Sequence, residues 1–329
     1  NNELNNDAAW TTMSDVHQSL LSHKNGIYPE EYIKEEFDYL RSETASKKRE
    51  DYYNIQRIGR SVQFQKDFRK QIIEGLNEWE YKMALSDSID LAGLSSILYS
   101  HIAKIKPIYR SILIDEEQDF GTIDLAIIRK LVRERENDLF LAGDIAQKVY
   151  VKKQSHRLAG ITFTNKHKKE ILKNYRNSKE ILEAAYNIYK HNLDENSEYS
   201  SPSDKSLMIQ SPEYADYSYN KPLICSAKSL NEELTYGFHY IQDALNGNSG
   251  QIGCLAVSGV QLNQLEKLYD VLVGAGFKND IQLLDGEAVF KKNKGANIFL
   301  SDLDSTKGFE FDVMVIVGCS AKTLPNPYL

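Results

Sequence analysis

The first hundred residues alternate apolar and polar positions with the period of an α-helix. Apolar side chains recur every three or four positions, separated by Lys, Arg, Glu and Gln, at Phe64, Phe68, Ile72, Leu76, Trp79 and Met83. Residues 28–53 have a similar pattern rich in Glu, Lys and Tyr. Such spacing places the apolar side chains on one helix face. We therefore predict a helical region over residues 1–105, with its aromatic side chains in a core.

After residue 105 the pattern changes to short apolar runs separated by amphipathic segments. The spacing predicts strands at residues 111–114, 139–142, 223–227, 252–258, 298–300 and 313–317. It predicts helices at residues 123–132, 230–245 and 262–272. Alternation of strands and helices is typical of an α/β fold with a parallel sheet.

A long polar stretch interrupts this alternation. Residues 192–220 are rich in Ser, Asn, Asp and Tyr, which favours a surface loop. Before it, Asn177 lies three residues ahead of Glu180, the spacing of a helix cap with a reciprocal acid. The length of 329 residues favours two or three domains.

Composition narrows the class of protein only slightly. A formal net charge of −7 does not suggest a polyanion partner for the whole protein. Residues 152–173, however, hold seven Lys or Arg and the single acid Glu170, so they could meet phosphates or form a solvated surface. The three cysteines, odd in number and far apart, favour a reduced, cytosolic protein without a zinc site. No apolar run approaches the roughly 18 residues of a membrane span.

Acidic and amide side chains follow the first two predicted strands. Asp115 and Glu116 end the first strand, where parallel α/β sheets bind ligands. One acid can hold Mg²⁺ while its neighbour polarises a water, and the nearby Gln118 and Asp119 add polar groups. Gln147 follows the second strand and could sense a γ-phosphate. Both segments also fit ordinary loops at strand ends.

Two later segments have candidate nucleotide contacts. Tyr175 could stack on a base, and Arg176 could act as an arginine finger with planar, bidentate donors. Gly308, next to Lys307, allows close backbone approach, and Glu310 could accept hydrogen bonds from a ribose. A surface Arg beside a core Tyr, and an ordinary loop before a strand, remain open alternatives. No G-x-x-x-x-G-K-[ST] phosphate loop occurs in the chain.

In this order and spacing, the four segments resemble motifs II to V of UvrD/Rep-like superfamily 1 helicases. The matching stretches are DEEQDF, GDIAQKVY, NYRNSKEI and STKGFEFDVMVIVG, and residues 52–69 resemble the helical stretch before motif II in part of that family. The resemblance implies RecA-like parallel-sheet domains of the P-loop NTPase helicase type, with ATP bound between two of them. By the resemblance, the helical region, residues 1–105, would be an insertion in the first domain, residues 106–172 would be the remainder of that domain, and residues 173–329 would form the second domain. Movement on single-stranded DNA would run 3′ to 5′.

The resemblance also implies roles for individual residues. Asp115 would hold Mg²⁺, Glu116 would activate the hydrolytic water, and Gln147 would couple the γ-phosphate to the nucleic acid. The implied ATP contacts are Tyr175, Arg176, Glu310, Gly308 and Lys307, and the implied nucleic-acid contacts are Tyr150, Lys152 and Lys153. Partners would be single-stranded or partly duplex DNA, with RNA also possible, and a nuclease or other partner protein.

Several departures from the family pattern leave two functions open. The phosphate loop and the last family motif are absent, Lys152 replaces a frequent aromatic, and Asp304 replaces the usual His of motif V. The first hypothesis is a helicase or translocase whose ATP site is completed by other segments, so that this chain alone would be inactive. The second is a catalytically inactive, helicase-like binding module. A phosphate loop encoded upstream would favour the first.

Overall fold

The computed structural model describes residues 28, 30–43, 46–55, 57, 64–144, 147, 152–171, 173–192, 215–245, 250–260, 262–277, 280–284 and 297–320. The chain divides into two compact units, one ending at Asn220 and one beginning at Lys221. The predicted boundary at residue 173 lies within the first unit. Tyr150 and most of the predicted polar loop lie outside the described residues.

Among the described residues, the first three α-helices of the first unit are α1 at Glu30–Glu43, α2 at Lys66–Leu85 and α3 at Leu91–Ser100. A 3₁₀ segment, Ser46–Tyr53, follows α1. The apolar stripe becomes the buried face of α2, which packs with aromatic residues of α1 and of the 3₁₀ segment in one core cluster. The helix predicted from that stripe is confirmed. The predicted helical character of residues 28–53 is confirmed for α1, with the tighter 3₁₀ geometry after it.

A buried ion pair lies inside this helical core. The Glu36 carboxylate is 0% exposed and accepts hydrogen bonds from Arg57, with Nε at 2.7 Å, and from the Tyr52 hydroxyl. The Arg57 guanidinium lies 3.7 Å from the centre of the Phe64 ring. Burying two charges is tolerated only when each is paired and its remaining hydrogen-bonding positions are satisfied. Here the pair fixes how α1, the 3₁₀ segment and residue 57 pack together.

A second ion pair ties α1 to the start of α3. Asp90 caps α3 by accepting a hydrogen bond from the Gly93 amide at 2.8 Å, and it pairs with Arg41 Nη1 and Nη2 at 2.8 and 2.7 Å. Burial by itself would raise the pKa of Asp90, but attraction to Arg41 and these hydrogen bonds lower it below its usual value. The charged carboxylate therefore stabilises the folded state.

We expect this contact to make the stability of the first unit depend on pH. A carboxyl whose pKa is lowered by folding stabilises the protein above its unfolded pKa, about 3.9, and this stabilisation is lost as pH falls through the folded value. Asp90→Asn should lower the free energy of unfolding by about 1–3 kcal/mol at pH 7. The difference between variant and wild type should shrink below about pH 4. Urea denaturation at pH 7 and pH 3 measures both effects, and a difference of equal size at the two pH values would contradict the proposed contact.

A two-stranded parallel sheet follows the helices. Strand β1, Ile112–Ile114, pairs with β2, Leu139–Leu141, in the register Ile112↔Leu139. Helix α4, Thr122–Leu131, connects them, and its buried residues pack with Ile114, Ala159 and Ile161. The strands and the helix between them were predicted, to within one or two residues at their ends. Because the pair is parallel, both strands end at the same edge of the sheet, where Asp115 and Gly143 follow.

The last helix described in the first unit is α5, Lys179–Asn192. Its beginning differs from the prediction. Ser178 Oγ accepts a hydrogen bond from the Ile181 amide, and Glu180 reaches the Tyr219 amide at 2.7 Å. The predicted cap at Asn177 with a reciprocal Glu180 is therefore wrong, because the Ser hydroxyl one residue later lies next to the free amide.

The second unit is built on a four-stranded parallel sheet. Within the part of this unit that the structure describes, the α-helices and strands are α6, Leu230–Leu245; β3, Gly253–Val257; α7, Leu262–Leu272; β4, Ile281–Leu283; β5, Ile298–Asp302; and β6, Val313–Val317. The strand order is β4-β5-β3-β6, so the fully buried β3 lies inside the sheet. Helix α6 packs so closely on the sheet that a side chain on Gly237 would meet Leu255 at 2.8 Å. Parallel sheets in both units confirm the predicted mixed α/β class.

Two strand predictions in this unit need correction. Residues 223–227 form no strand in the structure, and Leu223 and Ile224 are 70% and 97% exposed. A short apolar segment becomes a strand only when a neighbour pairs with its backbone, and no described strand does so here. Conversely, β4 was missed because three residues are too few to show a period. None of the described helices is both long and apolar enough to cross a membrane.

Candidate active site

The two acids after β1 have an unusual backbone. Asp115 is exposed, and its Oδ1 accepts a hydrogen bond from the Glu116 amide at 3.0 Å. Glu116 has φ 53° and ψ 43°, a left-handed conformation that side-chain-bearing residues seldom adopt. A 3₁₀ turn, Glu117–Asp119, follows directly. Uncommon backbone conformations cluster at functional sites, where the surrounding contacts maintain them.

Gln118 joins the end of β1 to the end of β2. Its side chain is 1% exposed, its Nε2 donates to Glu116 Oε2, and its Oε1 accepts from the Asp144 amide at 3.0 Å. The Glu117 amide also donates to the Ala142 carbonyl at 2.9 Å. One buried amide therefore fixes the predicted hydrolytic acid relative to the loop after β2.

The hydrogen bonds continue to Gln147. Gln147 Nε2 donates to Asp144 Oδ2 at 2.9 Å, and its amide donates to the Asp144 carbonyl at 3.0 Å. Glu116, Gln118, Asp144 and Gln147 thus form a continuous hydrogen-bonded series, which we call the strand-end relay. The structure brings together two residues, Glu116 and Gln147, that were predicted separately from different sequence motifs.

Gly143 makes this close approach possible. A Cβ at position 143 would lie 2.6 Å from Gln118 Oε1 and 2.8 Å from Glu117 Cγ. Real Cβ atoms essentially never come so near, so any larger residue must displace the buried Gln118 side chain. The glycine is required for the contact and not merely for turn flexibility.

The ATP hydrolysis that the family resemblance implies should be about 10-fold slower in the Gly143→Ala variant of the full-length protein, because small displacements of catalytic groups are costly. The matched control is Gly274→Ala, since a Cβ at position 274 would meet no atom within 4 Å. Steady-state phosphate release measures both variants. Equal turnover by the two variants would contradict the role assigned to Gly143.

Glu117, which lies between Glu116 and Gln118 in the chain, has different hydrogen-bond partners from these two residues. Its Oε2 accepts from Gln154 Nε2 at 2.8 Å and contacts His156 Nε2 at 3.1 Å, and its carbonyl accepts from Gln154 at 2.7 Å. Glu117 therefore holds the segment after residue 152 against the strand ends. The adjacent acids Glu116 and Glu117 have separate tasks.

The predicted nucleic-acid contacts Lys152 and Lys153 both have acidic partners. Lys152 Nζ lies 3.4 Å from Asp124 Oδ2, and Lys153 Nζ lies 2.6 Å from Glu43 Oε2. The Lys153 backbone amide also donates to Ser42 Oγ at 2.8 Å. These two lysines attach their segment to α1 and α4, which leaves less positive charge for a phosphate than the sequence suggested. The third predicted contact, Tyr150, lies outside the described residues.

Tyr175 and Arg176 lie on the surface before α5. The Tyr175 ring is exposed, with Lys173 Nζ 5.0 Å from its centre. The backbone of Arg176 is fixed by its amide donating to Asn174 Oδ1 at 3.0 Å and by its carbonyl accepting from Tyr217 at 2.8 Å. Both side chains stand on a defined loop. Their predicted contacts with nucleotide stay predictions.

The fourth predicted segment belongs to the second unit. Gly308 has φ 85°, in the left-handed region where glycine is favoured, and no atom lies within 4 Å of a Cβ built there. Glu310 is exposed, and Lys307 is half-buried at the end of a 3₁₀ turn, Asp304–Thr306. The loop before β6 thus contains a glycine in a conformation that favours glycine, and the predicted close backbone approach at Gly308 and ribose contact of Glu310 stay predictions.

The acids that follow β1 have the chemistry to coordinate a magnesium ion that is bound together with a nucleotide. Among the described residues no group of three or more His, Cys, Asp or Glu could hold a metal by itself. Mg²⁺ in nucleotide sites, however, is bound by one or two carboxylates, with phosphate oxygens and waters completing the shell. The exposed Asp115 carboxylate at the end of β1 fits that mode. Asp115 is therefore the residue that would hold such an ion.

Parallel strands that end in paired acids and a glycine-dependent loop lie where α/β sheets bind ligands. Comparison with known families makes this more specific. The model of the UvrD/REP helicase N-terminal domain matches residues 2–171, more than half of the chain. The chain belongs to this family.

The curated relatives that the chain matches are also named as helicases. The chain is similar to the A subunit of the ATP-dependent helicase/nuclease of Staphylococcus haemolyticus, with 28% identity over 185 residues, 50% of this chain and 15% of the relative. The protein of the same name from Clostridium acetobutylicum is 27% identical over 198 residues, 56% of this chain and 15% of the relative. That from Clostridium novyi is 31% identical over 108 residues, 28% of this chain and 9% of the relative. The chain thus matches only a small part of these proteins.

Sequence reasoning missed how Gln118 and Glu117 contribute. Gln118 was noted only as an additional polar group, and the contacts of Glu117 were not foreseen. The available signal was the density of polar residues in DEEQD, since so many of them directly after a buried strand need partners. The sequence did not indicate which partners these would be.

Proposed function

We propose that this chain supplies the hydrolytic part of an ATP-dependent helicase or translocase. The observation that carries the proposal is the strand-end relay, because it connects the water-activating acid to the residue suited to sensing phosphate. The similarity to proteins named as the A subunit of an ATP-dependent helicase/nuclease supports ATP as the nucleotide.

The residues of the site have distinct proposed roles. Asp115 holds Mg²⁺, which when bound offsets the negative charge of the phosphates. Glu116 orients the attacking water and accepts its proton, and Gln118 fixes the direction of that carboxylate. Gln147, through its hydrogen bond to Asp144, couples the phosphate site to the contact with nucleic acid.

Residues outside the relay complete the proposal. Tyr175 lies against the adenine, Arg176 donates bidentate hydrogen bonds to the γ-phosphate, and Glu310 accepts from the ribose beside Lys307 and Gly308. The resemblance to UvrD/Rep-like helicases supports RecA-like domains, single-stranded or partly duplex DNA as the partner, and 3′ to 5′ movement. The word subunit in the relatives' name supports a partner protein, in which a nuclease activity could reside.

ATP hydrolysis by the full-length protein, with and without single-stranded DNA, tests this function. We expect DNA to stimulate phosphate release, since motors of this class couple turnover to a bound strand. Strand movement measured from labelled 3′ and 5′ ends then tests the direction. DNA binding without any ATP turnover would overturn the proposal.

A second function is favoured by one specific observation. Lys152 replaces an aromatic of the family pattern and is paired with Asp124 at 3.4 Å, so a standard strand contact is missing. A helicase-like binding module without turnover would have this property. The same experiment separates the two functions, because only the motor releases phosphate.

A further inference from the structure

An aromatic ring and three lysines share an exposed segment after β2. The Phe163 ring is 38% exposed. The His156 ring contacts it edge-on, with centroids 5.1 Å apart and planes at 69°. Lys168 Nζ lies 5.2 Å from the centre of the Phe163 ring. Lys166 and Lys169, on either side of Lys168, are also exposed. We call Phe163, Lys166, Lys168 and Lys169 the Phe163 surface.

The base of this surface is firmly attached to the first unit. His156 contacts Glu117 at 3.1 Å, and its carbonyl accepts from the Ile161 amide at 2.9 Å. Ala159 and Ile161 are buried in the core cluster under β1 and β2. Phe163 is therefore held in place before any ligand binds, which reduces the entropy lost on binding. Through His156, the Phe163 ring is connected to Glu117, the residue that follows Glu116.

The charges of the Phe163 surface remain available. Lys152 and Lys153 pair with acids, whereas within the described structure no acid forms an ion pair with Lys166, Lys168 or Lys169. Glu170 is the single acid between residues 152 and 173. The positive charge is thus local in a chain whose formal net charge is −7. The lysine stems are long and flexible, so Lys168 can leave the ring for a phosphate and uncover the ring face.

We propose that the Phe163 surface is a binding site for single-stranded nucleic acid, with one base stacked on Phe163 and adjacent phosphates held by the three lysines. A cationic surface with an exposed aromatic platform is how proteins bind single strands without reading their sequence. Duplex would not present an unstacked base to the ring. This inference rests on the proposed function, and it assigns strand contacts to residues different from those of the family pattern.

Fluorescence anisotropy with labelled oligo-dT and oligo-rU, using the full-length protein without nucleotide, tests the site. Phe163→Ala should weaken binding about 5-fold to 150-fold, the range for loss of one stacked base. Phe163→Tyr should retain wild-type affinity. Tyr81→Ala is the matched control, because Tyr81 is an exposed aromatic on α2. The oligo-dT and oligo-rU arms distinguish DNA from RNA as the source of the strand.

The lysines have a charge-matched control. Lys166→Glu with Lys168→Glu should weaken binding. It should also reduce the magnitude of the negative slope of log K against log salt by about 0.7 for each phosphate that the lysines no longer neutralise. Lys104→Glu with Lys106→Glu makes the same charge change at two exposed lysines with the same spacing, and should leave the affinity nearly unchanged. Thermal unfolding of each variant checks that the fold is retained.

The outcomes separate this inference from the proposed function. Wild-type binding that Phe163→Ala and the double lysine variant leave unchanged would overturn the Phe163 surface and leave the motor function standing. Equal losses in the two double lysine variants would show binding by overall charge and would also overturn it. A wild-type protein that hydrolyses ATP but binds neither oligonucleotide would overturn the site and the nucleic-acid part of the proposed function together.

Discussion

Glu116→Gln should lower ATP turnover by the full-length protein about 100-fold or more, because a general base contributes roughly 10²- to 10⁴-fold to such reactions. The glutamine has the same shape and can still contact Gln118, but it cannot accept a proton from the attacking water. ATP binding should persist, since Glu116 acts on the water. Steady-state phosphate release and equilibrium binding of a fluorescent ATP analogue measure the two effects separately.

The neighbouring acid provides a strict control for this substitution. Glu117→Gln makes the same chemical change one residue along the chain, but Glu117 contacts Gln154 and His156. We expect its turnover to remain within a few-fold of wild type. If both variants lost turnover equally, the assignment of the catalytic base to Glu116 would be wrong.

Glu36→Gln should lower the free energy of unfolding of the first unit by about 3–5 kcal/mol, the usual effect of removing one partner from a buried ion pair. Arg57 would remain buried without a compensating charge, although the glutamine fills the same volume. Urea denaturation followed by tryptophan fluorescence is a suitable measurement, because Trp79 belongs to the same core cluster.

An exposed ion pair on α2 provides a control for the effect of burial on the Glu36–Arg57 pair. Glu74 pairs with Lys70 at 3.7 Å on α2, with both side chains about two-thirds exposed. Glu74→Gln should change the free energy of unfolding by no more than about 0.5 kcal/mol. A similar small change for Glu36→Gln would mean that the buried pair does not organise the helical core.

Parts of the fold and site with a local signal could be predicted from the sequence. The α2 stripe was visible because helical period determines which side chains are buried. The strand ends at Asp115 and Gly143 were visible because short apolar runs followed by polar residues mark the ligand edge of a parallel sheet. Family resemblance then supplied roles for residues whose chemistry the pattern alone left open.

The remaining features depend on contacts between residues distant in the chain. Lys153 was predicted to bind nucleic acid, yet it pairs with Glu43, more than a hundred residues earlier. Gln118 contacts Asp144 only because β1 and β2 are parallel neighbours. Residues 223–227 have the apolar run of a strand, but an apolar run does not supply the neighbour that a strand needs. Periodicity describes one element at a time and cannot give such pairings.

The strand-end relay is the central claim, and a double-mutant cycle in DNA-stimulated ATP turnover tests it most directly. Gln118→Leu and Gln147→Ala are measured singly and together in the full-length protein. If the two residues act through one hydrogen-bonded series, each substitution alone should cost about 10-fold, and the double variant should cost little more, because the second removes a connection that is already broken. Independent losses that multiply to about 100-fold in the double variant would contradict the relay.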